Sequence, residues 1–340
     1  MPRIEFLAVS RRGLLAGAAA LAAIRVSTPP QAFAQVGKLR RIGMLLPFAQ
    51  DDGETPYRIL AFEEGLGAFG WVNGETVEIL YRSAPQRERQ LGLARELVAA
   101  ECEVIVAAAN TALDALLSAT QTVPIIFVHV GDPVATGRLK DPARPGGNFS
   151  GFVNFEYSML QKQVQLLMAV APRTRRIAVL FNPETFGRGV APTLAAARAS
   201  ADMLGLGLIE APVHEAGELE TVFAALAQEP HLGLFVVPDV FAAVNRKVIV
   251  ELAAQRRIPA MYFGACFVET GGLISYGVES RDLYRRCAAY VDKCLRGAVV
   301  GDLPVQFPVS FELAVNLKAA ENLGLTMPAA ILAQAERVFD

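Results

Sequence analysis

Histidine and tryptophan are scarce in this chain, with three His and one Trp in 340 residues. His129, His214 and His231 are far apart and no H-E-x-x-H is present, so a zinc site would have to be assembled from distant residues. Also missing are a Walker A loop, a G-x-G-x-x-G that opens a helix after a strand, and a G-x-S-x-G elbow. The nearest serine pattern, Gly147-Asn148-Phe149-Ser150-Gly151, lacks the elbow's spacing. No catalytic residue, metal or cofactor is therefore expected. The four cysteines form no C-x-x-C. Cys287 and Cys294 lie seven residues apart on one predicted helix, about 10 Å along its axis, too far to bridge. They read as small buried hydrophobes, with a bridge through Cys102 or Cys266 left open. A net charge of -2 with interspersed signs supplies no basic stripe, so nucleic acid is not an expected partner.

What is present is apolar residue, 53% of the chain, enough to build the cores of two ordinary domains. Residues 1–34 read as a leader of the twin-arginine type. Arg11 and Arg12 precede an apolar run from Leu14 to Ile24, and Ala32-Phe33-Ala34 forms an A-x-A cleavage site. That run falls short of the ~20 residues that span a bilayer. Export to the periplasm is expected, with the mature chain starting near Gln35.

Beyond the leader, short β-rich runs alternate with helical patterns, the signature of parallel sheets covered by helices. Strands are predicted at Ile42–Leu46, Val77–Tyr81, Val104–Ala108 and Ile125–His129, and helices at Ile59–Phe69, Arg87–Ala100 and Ala112–Ala119. The order then repeats. Arg40-Arg41-Ile42-Gly43 is echoed by Arg175-Arg176-Ile177-Ala178. Strands follow at Leu206–Ala211, Leu234–Val237 and Ala260–Phe263, with helices at Leu219–Gln228 and Val244–Gln255. A repeat this long predicts two Rossmann-like α/β lobes rather than a solenoid. Their strand-end loops face one cleft, because ligands bind beyond the carboxyl ends of strands in open parallel sheets. The breaker cluster Arg144-Pro145-Gly146-Gly147-Asn148 ends the first copy.

The tail carries a family resemblance. Gly271-Gly272-Leu273-Ile274-Ser275-Tyr276-Gly277, the helix Arg285–Gly297, Leu303-Pro304-Val305-Gln306-Phe307-Pro308 and Phe311–Ala320 resemble the C-terminal signature of the TrpX-like ABC transporter substrate-binding family. Gly131-Asp132-Pro133-Val134-Ala135-Thr136-Gly137 resembles it too. The resemblance implies a type I periplasmic-binding-protein fold: two Rossmann-like lobes with parallel sheets joined by a three-strand hinge. It places residues 35–150 plus 272–306 in the N-terminal lobe and 151–271 plus 307–340 in the C-terminal lobe. It further implies a monomer that captures a small organic solute and passes it to the permease and ATPase of an ABC importer. The expected solute is a hydrophobic or aromatic amino acid or a related carboxylate. A sensor for a membrane receptor and an exported α/β enzyme are the alternative readings.

Candidate ligand-binding residues follow from strand-end positions. Asn110, Thr111 and Ala112 open a helix, where exposed N–H groups favour a carboxylate, though capping alone also accounts for the first two. Asp132 follows a strand and either closes an Asx turn or pairs with an amine. Asn182 and Asp239 hold the equivalent places in the second copy. Phe48 and Phe267 are the candidate aromatic walls, and His129 reads as a paired structural histidine.

Overall fold

The computed structural model describes residues 39–49 and 52–340, so the expected leader lies outside the described residues. The first sheet is built from β1 (Arg40–Leu46), α1 (Thr55–Gly67), β2 (Val77–Ser83), α2 (Arg87–Ala99), β3 (Val104–Ala108), α3 (Ala109–Ala119), β4 (Ile125–Gly131) and β5 (Phe149–Phe155). Its strands are all parallel, in the order β2-β1-β3-β4-β5. Every residue of β3 is buried, as expected of a strand with helices on both faces.

The second sheet follows with α4 (Tyr157–Val170), β6 (Arg176–Phe181), α5 (Pro183–Phe186), α6 (Val190–Met203), β7 (Gly207–Pro212), α7 (Leu219–Leu226) and β8 (Leu232–Val236). It continues through α8 (Val240–Val244), α9 (Arg246–Gln255), β9 (Ala260–Tyr262), α10 (Ala265–Glu269) and β10 (Ile274–Val278). After α11 (Ser280–Leu295) come β11 (Phe311–Asn316), α12 (Leu317–Leu323) and β12 (Arg337–Phe339). The strand order is β12-β11-β10-β9-β8-β6-β7, whose segment β7-β6-β8-β9-β10 reproduces the order of the first sheet. The sequence repeat is thus a repeat of topology. β11 departs from the parallel pattern by running antiparallel to β10.

The main-chain path passes between the sheets three times: from β5 to α4, from β10 to α11, and between Gln306 and Phe311. At the third crossing Gln306 still pairs with β5, its N–H donating to the Gly151 carbonyl at 2.8 Å. Phe149–Phe155 pairs within the first sheet and Ile274–Val278 within the second, so both strands run past the expected lobe limits at 150/151 and 271/272. The breakers explain the offset. Arg144–Asn148 serves a connection inside the first lobe, and Gly271-Gly272 is the turn from α10 into β10, with Gly271 at φ +110°. Helix α11 returns to the first lobe and lies close against α1. A Cβ on Gly65 would sit 2.5 Å from the Arg285 carbonyl oxygen, so the two helices meet backbone to backbone. Leu283, Tyr284, Cys287 and Val291 of α11 join Phe62 and Leu66 of α1 in one buried core. All four cysteines are free thiols.

Candidate functional site

In the order 2-1-3-4-5 the chain reverses direction between the strands called 1 and 3, and the loops after those strands splay apart to leave a crevice. The first sheet has this switch point between β1 and β3, and the second between β6 and β8. The segments following these strands carry Phe48, Asn110, Asn182 and Asp239, and the two switch points confront each other. Phe48, Ala109 and Val240 form a small apolar cluster of their own, with Ala243 packed against it. The lobes are in contact, and the space left at the centre is about 30 Å³, bordered by Phe48, Arg58, Asn110, His129, Asn154, Asp239 and Phe263. A cavity of about 320 Å³ opens beside it toward the hinge, with Arg58, His129, Phe263 and Cys266 in its wall. That is the lower end of the range for small-molecule sites. A larger cavity of about 580 Å³ lies at the opposite end of the second sheet, by His231, Arg257 and Thr174. It sits at the amino ends of the strands, the wrong side for a ligand of an open parallel sheet.

The eight candidate residues divide. Phe48, Asn110 and Asp239 border the central space. Asn182 lies behind it: its Oδ1 accepts from the Thr185 N–H at 2.8 Å as a helix cap, and its own N–H donates to Asp239 Oδ2 at 3.1 Å. Asp239 Oδ1 accepts from the Ala242 N–H at 2.6 Å. Burial outweighs these bonds and pushes the carboxyl of Asp239 up to about 7. Thr111 and Ala112 are buried in the first lobe, Ala112 within its apolar core. Asp132 closes a turn, accepting from the Val134 N–H at 2.8 Å and the Ala135 N–H at 3.2 Å. Phe267 is fully buried and stacks on Tyr262 with ring centroids 4.9 Å apart. Phe263, four residues earlier, holds the wall position instead, bordering both cleft cavities. Helix α10 turns Phe267 inward, a rotation that sequence position alone does not reveal.

Arg58, His129, Asn154 and Phe263 complete the cleft. His129 lies in β4 at φ +60°, where the pairing with β5 shifts register, and burial together with the Arg58 charge lowers its imidazole to about 3, so it is neutral. Asn154 Nδ2 donates to His129 Nδ1 at 3.1 Å, which leaves the imidazole proton on Nε2. Asn154 was legible by the same strand-end rule that found Asp239, had Phe149–Phe155 been recognised as a strand. Arg58 carried no such signal: it lies one residue before the predicted helix Ile59–Phe69 and belongs to the first turn of α1 only in the structure.

Comparison with known proteins agrees with this architecture. A family model described as ABC transporter substrate binding protein matches residues 57–339. The chain belongs to the ABC transporter substrate-binding protein family. A curated relative, the tyrosine-binding protein of Clostridioides difficile, is 23% identical over 256 residues, covering 75% of this chain and 73% of the relative. The crystal structure of a conserved domain protein from Vibrio cholerae is 26% identical, with a TM-score of 0.82 over 88% of this chain and 100% of that one. An ABC domain from Streptococcus pneumoniae in complex with L-Trp is 24% identical, with a TM-score of 0.82 over 89% and 100%. The fold is the type I periplasmic-binding-protein fold. Members of this family work outside the cytoplasmic membrane, where they bind a small molecule and deliver it to an ABC transporter rather than transform it.

In this substrate-binding protein one ion pair among the described residues spans the cleft. Arg246 Nη1 lies 2.7 Å from Asp52 Oδ1, with both side chains largely buried. Arg87 adds a second link, donating to the Glu184 carbonyl at 2.8 Å. Such contacts exist only while the lobes are together, so they bias the equilibrium toward closure. Arg246→Ala is expected to shift that equilibrium toward the open form by about fivefold, on the scale of a partly buried ion pair. X-ray scattering of the ligand-free variant should show a larger radius of gyration than wild type. Identical scattering curves would refute the latch.

Proposed function

We propose that this protein captures an α-amino acid or a closely related small carboxylate between its lobes, in the periplasm and as a monomer. It then hands the solute to the permease and ATPase of an ABC importer. We draw the lobes as residues 39–155 plus 280–306 and residues 157–278 plus 311–340, following strand pairing, with the leader cleaved before Gln35.

The observation that carries this reading is a set of buried polar atoms at the cleft left without a hydrogen-bond partner. Among the described residues, Arg58 Nη1, His129 Nε2 and Asn110 Oδ1 at the central space, and Gln163 Oε1 in a small gap beside His129, are buried without a hydrogen-bond partner. Leaving one such group unsatisfied costs about 1–3 kcal/mol, and a ligand that pairs with several of them recovers that cost. The set holds both donors and acceptors, as a zwitterion requires. Phe48 and Phe263 offer rings to an apolar body, and the tyrosine in the name of the curated relative favours an aromatic one.

A thermal-shift screen of the mature protein against the twenty L-amino acids, aromatic acids and nucleobases tests the reading. A solute at 100 times its Kd should stabilise the native state by about 2.7 kcal/mol, a shift of several degrees. A screen in which nucleobases shift the midpoint and no amino acid or carboxylate does would overturn it. Trp71 is a poor reporter here, because its indole is tied to Asp292 at 2.8 Å beyond the far end of α1.

A further inference from the structure

The unpaired groups that border the central space differ in polarity. Arg58 Nη1 and His129 Nε2–H are donors without acceptors, and both residues border the central space and the larger hinge-side cavity. Asn110 Oδ1 is an acceptor without a donor and lies on the border that includes Asp239. An anion at the first turn of α3 would face the lone pairs of Asn110 Oδ1, which repel it.

We propose that Arg58, assisted by the Nε2–H of His129, is the carboxylate anchor of the cleft, and that the end bordered by Asn110 and Asp239 receives the amine. The proposal rests on the amino-acid reading and moves the carboxylate from the start of α3 to a guanidinium on α1.

The surroundings of Arg58 support this role. Its side chain is 9% exposed, so its charge has little water to solvate it. Nε donates to Ser280 Oγ at 3.2 Å, and the guanidinium lies over the Phe48 ring, 4.6 Å from the centroid. Its ion-pair partner Asp52 stands off, with Oδ2 3.9 Å from Nη1, while the other oxygen of Asp52 is held by Arg246 at 2.7 Å. One carboxylate thus serves two buried guanidinium groups, and among the described residues no other carboxylate lies within ion-pair distance of Arg58. Glu54 also borders the larger cavity, and the cavity's three other carboxylates are engaged elsewhere. Glu279 accepts from the N–H groups of Arg281 and Asp282, and Glu269 and Glu312 pair with Arg337. A neutral His129 adds a directional donor without adding charge. A fork of guanidinium N–H groups matches a carboxylate in a way that a lone helix terminus does not.

The test uses L-tyrosine, tyramine and 3-(4-hydroxyphenyl)propionate as probes, with calorimetric titration of wild type, Arg58→Gln and Arg58→Lys. Arg58→Gln is expected to weaken tyrosine about 100-fold and to leave tyramine, which lacks the carboxylate, within threefold. Arg58→Lys restores part of the tyrosine affinity and changes nothing for tyramine, which separates loss of the charge from a folding defect. Equal losses for tyrosine and tyramine, or a tyrosine affinity within threefold of wild type, would overturn the anchor. If wild type prefers the propionate to tyrosine and Arg58→Gln abolishes that binding, the amino-acid reading falls and the anchor stands. If tyramine alone binds, the anchor falls. Wild-type protein that takes none of the three at millimolar concentration overturns the proposal as stated.

Discussion

Gly277→Ala is expected to lower the unfolding free energy by about 3 kcal/mol, the upper part of the range for overpacking a core. A Cβ at position 277 would stand 1.9 Å from the Phe263 carbonyl oxygen and 2.8 Å from its carbonyl carbon, both backbone atoms with no rotamer to move. Relief must come from separating β10 from the chain at the end of β9. That displaces Phe263, a wall of the cleft, so solute affinity should fall together with stability. Urea unfolding and calorimetric titration read the two effects. Gly67→Ala is the matched control: a Cβ there meets nothing within 4 Å on the last residue of α1, and the change should be neutral or slightly stabilising. A loss below 1 kcal/mol for Gly277→Ala would show that the strands give way more readily than their spacing implies.

On the proposed amino-acid reading, affinity should drop about 20-fold between pH 7.5 and 5.5, because Asp239, the proposed amine partner, titrates in that window. Burial pushes its carboxyl up to about 7, so at pH 5.5 most ligand-free molecules hold it neutral. An ammonium must then displace a proton to gain its ion pair, at a cost near tenfold per unit. The deaminated acid makes no such demand and should bind equally at both values. The shift is upward from an ordinary carboxyl, so the stability that Asp239 contributes is fully present below about pH 4 and is lost as pH rises through about 7, at about 1.4 kcal/mol per unit. Ligand-free protein should therefore weaken over the interval in which amino-acid binding strengthens. Parallel pH profiles for the amino acid and its deaminated analogue would remove Asp239 from the amine site.

These results hinge on a few side chains, and the sequence exposes them unequally. Asp239 was readable because it follows a strand in a repeated pattern, and the same rule pointed to Phe48 and Asn110. Applied without the strand Phe149–Phe155, it passed over Asn154. That strand hid because Gly151 interrupts its apolar run. The glycine is there for space, since its Cβ would stand 2.0 Å from the Phe127 carbonyl oxygen. Asp132 met the same rule as Asp239, yet its carboxylate closes its own turn.

The two-lobed α/β plan, the repeated order of elements along the chain and a cleft at the carboxyl ends of the strands were written in the chain itself, whereas the order of strands within each sheet was not. Hydrophobic periodicity and a long internal repeat act locally and survive without knowledge of distant contacts. Which side chains line the cleft was decided by the tertiary structure. One turn of α10 sends Phe267 into the core and leaves Phe263 at the wall. Arg58 becomes a site residue only because the fold brings α1, the end of β4 and the second lobe around one buried guanidinium, whose partner Asp52 is shared across the cleft. The helical pattern in the sequence begins only at Ile59, and the surroundings that Arg58 must answer are set by elements as far as 222 residues away.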